Sequence, residues 1–144
     1  MSKENSYSIA SALRPVLTRL NRKMRKLSPS NTVLSQTERS ILVLLEQHDY
    51  LLSAELAVLE KITPQSMGQL LNHLANLNLI SKTASETDKR KIHVSLSITG
   101  KEMLERVRHE RDEWLSKAIA EVCTAQEQLI LKEAIGPLTK LVNF

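Results

Sequence analysis

The sequence predicts a mostly helical fold with one β-hairpin. Three observations carry that prediction. Only three glycines and four prolines occur in 144 residues, too few for the many turns of a sandwich or barrel. Apolar residues make up 42% of the chain, enough for one core at this length. They recur at three- and four-residue steps almost throughout and change to a two-residue step once, after Leu77.

The first stripe is Ile9, Leu13, Val16, Leu17, Leu20, Met24 and Leu27. Pro15 suits the first turn of a helix, so a regular helix is expected to begin near Ser11. Its other face holds Arg14, Arg19, Arg22, Lys23, Arg25 and Lys26 without an acid. Ser28-Pro29-Ser30-Asn31 reads as a loop. Ser35-Gln36-Thr37-Glu38 is a capping box and opens a second helix to about His48. Its expected buried side is Ile41, Leu42, Leu44 and Leu45. Ser53 is expected to cap a short helix over 54–60, with Leu56, Ala57 and Leu59 inward. Thr63-Pro64 supplies an N-cap and a proline at the first helical position, where its missing N–H costs nothing. The helix that follows carries Met67, Leu70, Leu71, Leu74 and Leu77 on one side. Gln65, Ser66, Gln69, Asn72, His73 and Asn76 lie on the other.

Beyond Leu77, Ile92, Val94, Leu96 and Ile98 alternate with His93, Ser95 and Ser97, as in a half-buried strand. Residues 79–84 are the expected partner strand, and 85–91 the turn. Thr99-Gly100-Lys101-Glu102 reads as a second capping box, opening a long helix. Met103, Leu104, Val107, Trp114, Leu115, Ala118, Ile119 and Val122 mark its apolar face. The charged stretch 108–113 interrupts that face and suggests a lobe boundary or a solvent crossing. Thr124-Ala125-Gln126-Glu127 is a third box, and Gly136-Pro137 is expected to kink or end the last helix. Short helix, tight turn, second helix and hairpin together outline a winged helix-turn-helix.

Particular residues go further. Leu34-Ser35-Gln36-Thr37-Glu38, Ser53-Ala54-Glu55-Leu56-Ala57 and Ile62-Thr63-Pro64-Gln65-Ser66-Met67 resemble the MarR family of bacterial transcription regulators. So does Leu74-Ala75-Asn76-Leu77-Asn78-Leu79-Ile80. Thr87-Asp88-Lys89-Arg90-Lys91, followed by Val94-Ser95-Leu96-Ser97-Ile98-Thr99-Gly100, is similar to the family's wing signature. The strand end departs slightly from the usual Leu-Thr. Asn78 stands where the family commonly has glycine, and asparagine is the best substitute at a left-handed helix end.

The resemblance implies a winged helix-turn-helix lobe over 35–99, flanked by dimerisation helices at 8–30 and 100–144. It implies a homodimer on a palindromic operator, with helix 64–77 in the major groove and wing 85–91 in the minor groove. Repression is the family's usual polarity. Many relatives release DNA on binding a small, often phenolic molecule; Trp114, Met103 and Arg14 are candidates to line such a pocket, and equally ordinary core or surface residues.

The chemistry of the residues agrees. Glutamine can pair bidentately with adenine, and serine can contact a base or phosphate. An arginine at a hairpin tip suits the negative potential of a narrow minor groove. Asp88 cannot favourably face phosphate, so its expected role is to hold Arg90. The resemblance adds Arg39, near the start of the second helix, as a phosphate contact, so the candidate DNA-binding residues are Arg39, Pro64, Gln65, Ser66, Gln69, Asn72, His73, Asp88, Lys89, Arg90 and Lys91. The basic stripe between Arg14 and Lys26 is either a phosphate-attracting surface or the solvent face of a dimer helix.

Other classes fit less well. His48, His73, His93 and His109 lack metal-ligand spacing, and Gly68, Gly100 and Gly136 are too scattered for a phosphate loop, so neither an enzyme nor a cofactor is expected. Cys123 is the lone cysteine, which excludes an internal disulfide and reads as a small buried hydrophobe in a reducing compartment. The longest apolar run, 41–45, is far short of a membrane span, and no leader opens the chain, so a cytoplasmic protein is expected. A winged-helix protein-interaction module without operator binding is the alternative; intact Gln65, Asp88 and Arg90 argue against it. Residues 1–50 carry eight Lys/Arg against four Asp/Glu, 51–100 five against four, and 101–144 seven against eight, so the net +4 arises toward the N-terminus.

Overall fold

The computed structural model describes residues 2–27 and 33–144; the loop expected at 28–31 lies outside them. The element order is α1 (Lys3–Leu27), α2 (Gln36–Glu46), β1 (Leu51–Leu52), α3 (Ser53–Leu59), α4 (Pro64–Asn76), β2 (Ile80–Ala84), β3 (Ile92–Leu96), α5 (Ile98–Val122) and α6 (Ala125–Val142). The fold is thus mostly helical with one small sheet, as a winged helix-turn-helix flanked by helices requires. Two compact units divide the chain, residues 28–108 and residues 1–27 with 109–144. The division falls inside α5, in the charged stretch.

Among the described residues, the unit over 28–108 is built on eight large, fully buried side chains. Ile41, Leu42 and Leu45 come from α2, Leu56 from α3, Met67, Leu71 and Leu74 from α4, and Val94 from β3. Each contributes about 1.5–3 kcal/mol on leaving water. The hairpin β2–β3 is joined by β1, giving an antiparallel sheet in the order β1-β3-β2. β1 is only two residues long, too short for a two-residue periodicity to register, and was not expected. Three side chains expected inside lie outside: Leu59 at the end of α3, Ile92 at the wing end of β3, and Ile98 in the first turn of α5. Each sits where its element leaves the core, beyond the reach of periodicity alone.

The capping boxes divide. At α2, Ser35 Oγ accepts from the Glu38 N–H at 3.1 Å while Glu38 Oε1 accepts from the Ser35 N–H at 3.0 Å. Thr63 caps α4, and Thr124 with Glu127 caps α6. Ser53 is not a cap: it is the first residue of α3, and the Leu52 N–H before it donates to Glu55 Oε1. Thr99 likewise lies inside α5, and Ser97 takes the cap, its Oγ accepting from the Gly100 N–H at 3.0 Å. Close packing accompanies that earlier start. A Cβ on Gly100 would stand 2.2 Å from the Leu79 carbonyl oxygen and 2.8 Å from Leu96 Cδ1, so the first turn of α5 lies directly on the link between α4 and β2.

Among the described residues, two have left-handed backbone, Lys61 at φ 55° and Asn78 at φ 60°. Each follows a helix and is succeeded by a residue whose N–H reaches back across it: Ile62 to Ala57 O at 3.1 Å, Leu79 to Leu74 O at 3.0 Å. These are Schellman-type closures. α4 is therefore bracketed by a left-handed residue on each side.

The other unit contains α1, the later part of α5 and α6. α1 begins at Lys3, not near Ser11, and keeps Pro15 in its interior. α6 runs through Pro137 to Val142 without ending. A proline removes one helical hydrogen bond, and the turns on either side of these two sustain the helix. No residue of α1 or α6 is buried. Within this unit the Lys23 ammonium lies 5.9 Å from the Trp114 ring centroid, a cation–π distance. Cys123 is free and only half-buried, so it is not the enclosed hydrophobe expected.

Candidate nucleic-acid interface

α4 separates its two faces cleanly. Met67, Leu71 and Leu74 are buried, and Pro64, Gln65, Ser66, Gln69, Asn72, His73 and Asn76 are exposed. Positions 65, 69, 72 and 76 follow one another by helical turns and share a face. Thr63 Oγ1 accepts from the Ser66 N–H at 3.1 Å and donates to Ser66 Oγ at 3.0 Å. Ser66 Oγ is thus an acceptor to Thr63, and its own proton is free to point outward. The first turn carries no acid, so nothing offsets its positive end.

The wing is organised from beneath by Ser85, which is buried. Its N–H donates to the Lys91 carbonyl at 2.8 Å, and its hydroxyl accepts from the N–H groups of Thr87 and Asp88. Asp88 receives the Arg90 backbone N–H at 3.1 Å, Nε at 3.1 Å and Nη2 at 3.4 Å. The Arg90 side chain is nevertheless 91% exposed, so the pair orients the guanidinium without burying it. Arg90 holds the Asp88 carboxyl below its ordinary range, first through the side-chain bond and then through the backbone one. Lys89 and Lys91 are exposed beside it.

Two contacts tie α4 to its neighbours. Glu38, buried in the first turn of α2, uses Oε1 to cap its own helix and Oε2 to accept from His73 Nδ1. An ionised carboxylate only accepts, so Nδ1 carries the proton. Burial pushes the Glu38 pKa up, and the bonds from Ser35 and His73 outweigh it, leaving a net lowering. On the other side, Lys82 of β2 donates from Nζ to Asn72 Oδ1. Arg39 lies half-buried in the first turn of α2.

Comparison with known proteins decides what carries this arrangement. A family model described as "MarR family" matches residues 34–91. An HTH-type transcriptional regulator of Mycobacterium tuberculosis is 30% identical over 140 residues, covering 97% of this chain and 96% of that one. The chain belongs to the MarR family. A solved structure from Pseudomonas aeruginosa covers 99% of each chain at 28% identity, with a TM-score of 0.79. A Staphylococcus aureus MepR mutant bound to an oligodeoxyribonucleotide shares the fold at 17% identity and a TM-score of 0.71, covering 92% of this chain and 96% of that one.

As a MarR-family protein, this chain is a DNA-binding transcription regulator and not an enzyme. Among the described residues no group of His, Cys, Asp or Glu is placed to hold a metal, and no helix is long and apolar enough to cross a membrane. All the sequence candidates except Arg39 lie on α4 or the wing. His73 differs from its helix neighbours because one ring nitrogen is committed to Glu38. Lys82 was not among the sequence candidates, because its contact with Asn72 depends on which helix packs beside its strand. Sequence reading also missed the second partner of Glu38, since a capping box announces one partner and says nothing of the other oxygen.

Proposed function

We propose that the protein binds a palindromic DNA operator as a homodimer, placing α4 in the major groove and the wing over 85–91 in the minor groove. The observation that carries this reading is the pairing of an exposed amide-rich α4 face with a highly exposed, oriented Arg90 in one unit. Gln65, Gln69 and Asn72 read base edges, while the Ser66 hydroxyl and the Gln65 N–H at the α4 N-terminus take phosphate or a base. Pro64 sets the first turn, Arg39, Lys89 and Lys91 supply charge to the backbone, and Asp88 aims Arg90. His73 acts through its bond to Glu38. The MepR relative bound to an oligodeoxyribonucleotide supports DNA as the partner.

The homodimer is supported by α1 and α6, which together bury no residue and leave Ile9, Val16, Leu17, Ile135, Leu141 and Val142 exposed. Apolar surface on this scale marks an interface. Two α4 helices then meet half-sites about one helical turn apart. Repression is the proposed polarity, with release by a small aromatic molecule as its control. Arg90→Ala tests the wing. Operator affinity at matched salt falls by about 1–3 kcal/mol with an unchanged melting temperature. Unaltered affinity removes the wing from the interface.

A further inference from the structure

We propose that Lys82, on β2, is a specificity-determining residue of the DNA interface: it holds the Asn72 amide with its oxygen turned aside, so that Asn72 leads with its N–H donors and favours guanine over adenine. This rests on α4 being the helix that reads the operator.

Lys82 lies on the exposed part of its strand. In β2, Ile80 faces Leu96, Lys82 faces Val94 and Ala84 faces Ile92 across the ladder. Residues directly opposite in an antiparallel pair share a face. Lys82 therefore shares the sheet face of Val94, the fully buried side chain of β3, yet is itself exposed, since β2 leaves the core after Ile80. A lysine on an edge strand can serve simply to discourage pairing with another chain, and β2 is an edge strand. That role needs no partner. Here the ammonium has one, donating from Nζ to Asn72 Oδ1 at 2.5 Å on the helix that packs on β2.

The chemistry of the pair fixes its polarity. An ammonium has three donors and no acceptor, so the amide atom facing it must be the oxygen. The Asn72 amide nitrogen then points away from Lys82 with both of its hydrogens. A free asparagine pairs bidentately with adenine because it offers one acceptor to N6 and one donor to N7. With its oxygen turned toward Lys82, Asn72 presents its N–H2 edge, and its donors, away from the strand. Guanine presents two acceptors, O6 and N7, in the major groove and matches that set; adenine presents its own N6 donor against it. Lys82 thus changes what a residue on another element can read without itself facing the base.

The test is selection of bound sequences from randomised duplex DNA by the full chain, repeated with Lys82→Met, Lys82→Arg, Asn72→Ala, Gln65→Ala and Gln69→Ala. Expected is guanine over adenine at one position of each half-site for the wild type, by roughly tenfold. Lys82→Met moves that position toward adenine, Lys82→Arg retains guanine, and Asn72→Ala levels it. Adenine in the wild type, or guanine retained by Lys82→Met, overturns the proposal. A uniform loss of affinity across all sequences in Lys82→Met, with a shallower salt dependence, also overturns it and makes Lys82 a phosphate contact. If Gln65→Ala and Gln69→Ala leave every position of the motif unchanged, or no motif is enriched, α4 is not the reader and the underlying reading falls. If those variants alter their own positions while Lys82→Met does not, only the Lys82 proposal fails.

Discussion

Glu38 shows how much one side chain can hold. It caps α2 with one oxygen and restrains His73 of α4 with the other. Its pKa is lower in the folded chain than in the unfolded one, burial notwithstanding. A depressed carboxyl stabilises the fold in full above the ordinary glutamate range, and the contribution is lost as pH falls below that range through the lowered value. Acid titration of the melting temperature should therefore show a component that Glu38→Gln removes. Identical acid profiles for the two proteins would contradict it. Gly100 is the second decisive residue. Its missing Cβ admits the Leu79 carbonyl and Leu96, so Gly100→Ala should destabilise by about 1–3 kcal/mol or more in urea unfolding. Glu38 was visible in the sequence as half of a capping box. The need for glycine at 100 was not, because a clash with a carbonyl twenty-one residues earlier leaves no local trace.

At the scale of elements, strong local chemistry was legible and tertiary choices were not. Thr63-Pro64 placed the start of α4 correctly, since cap and proline act within one turn. Thr99 had equally good local credentials and lost the cap to Ser97, whose hydroxyl also donates to the Asn78 carbonyl at 2.6 Å. Pro15 and Pro137 were overread as boundaries: one missing bond does not stop helices of 25 and 18 residues. The candidate surface on α4 was readable because its polar face follows the helical period. Lys82 was not, since its relevance depends on which helix covers its strand. Lys61, unlike Asn78, has no intrinsic tolerance for a left-handed backbone. Lys61→Gly is expected to raise stability by up to about 1 kcal/mol in chemical denaturation; a loss would show that the lysine side chain contributes more than its backbone costs.

At the scale of the molecule, the two units have very different interiors. Residues 28–108 enclose a core of fully buried side chains, while α1 and α6 enclose none. A homodimer through the terminal helices makes stability depend on concentration. The melting temperature should rise with protein concentration over the micromolar range, and sedimentation should give twice the chain mass. Ile135→Lys, on an exposed α6 position, should weaken both effects. A monomer mass with a concentration-independent transition would count against the dimer. The modest net charge of +4 was a poor guide to function; three of its cations lie together on the wing.

The left-handed residues that bracket α4 bear on how a mutational scan of this protein would read. Substitutions at Lys61 and Asn78 that disfavour positive φ would alter the exit angle of the chain at either side of α4, and with it the presentation of Gln65 and Gln69. In a reporter assay they would score beside true base-contacting positions. Their signature lies in the pattern of tolerated residues: glycine and asparagine accepted, β-branched residues rejected, and charge nearly irrelevant. A position that reads DNA sorts its substitutes by hydrogen-bonding groups instead.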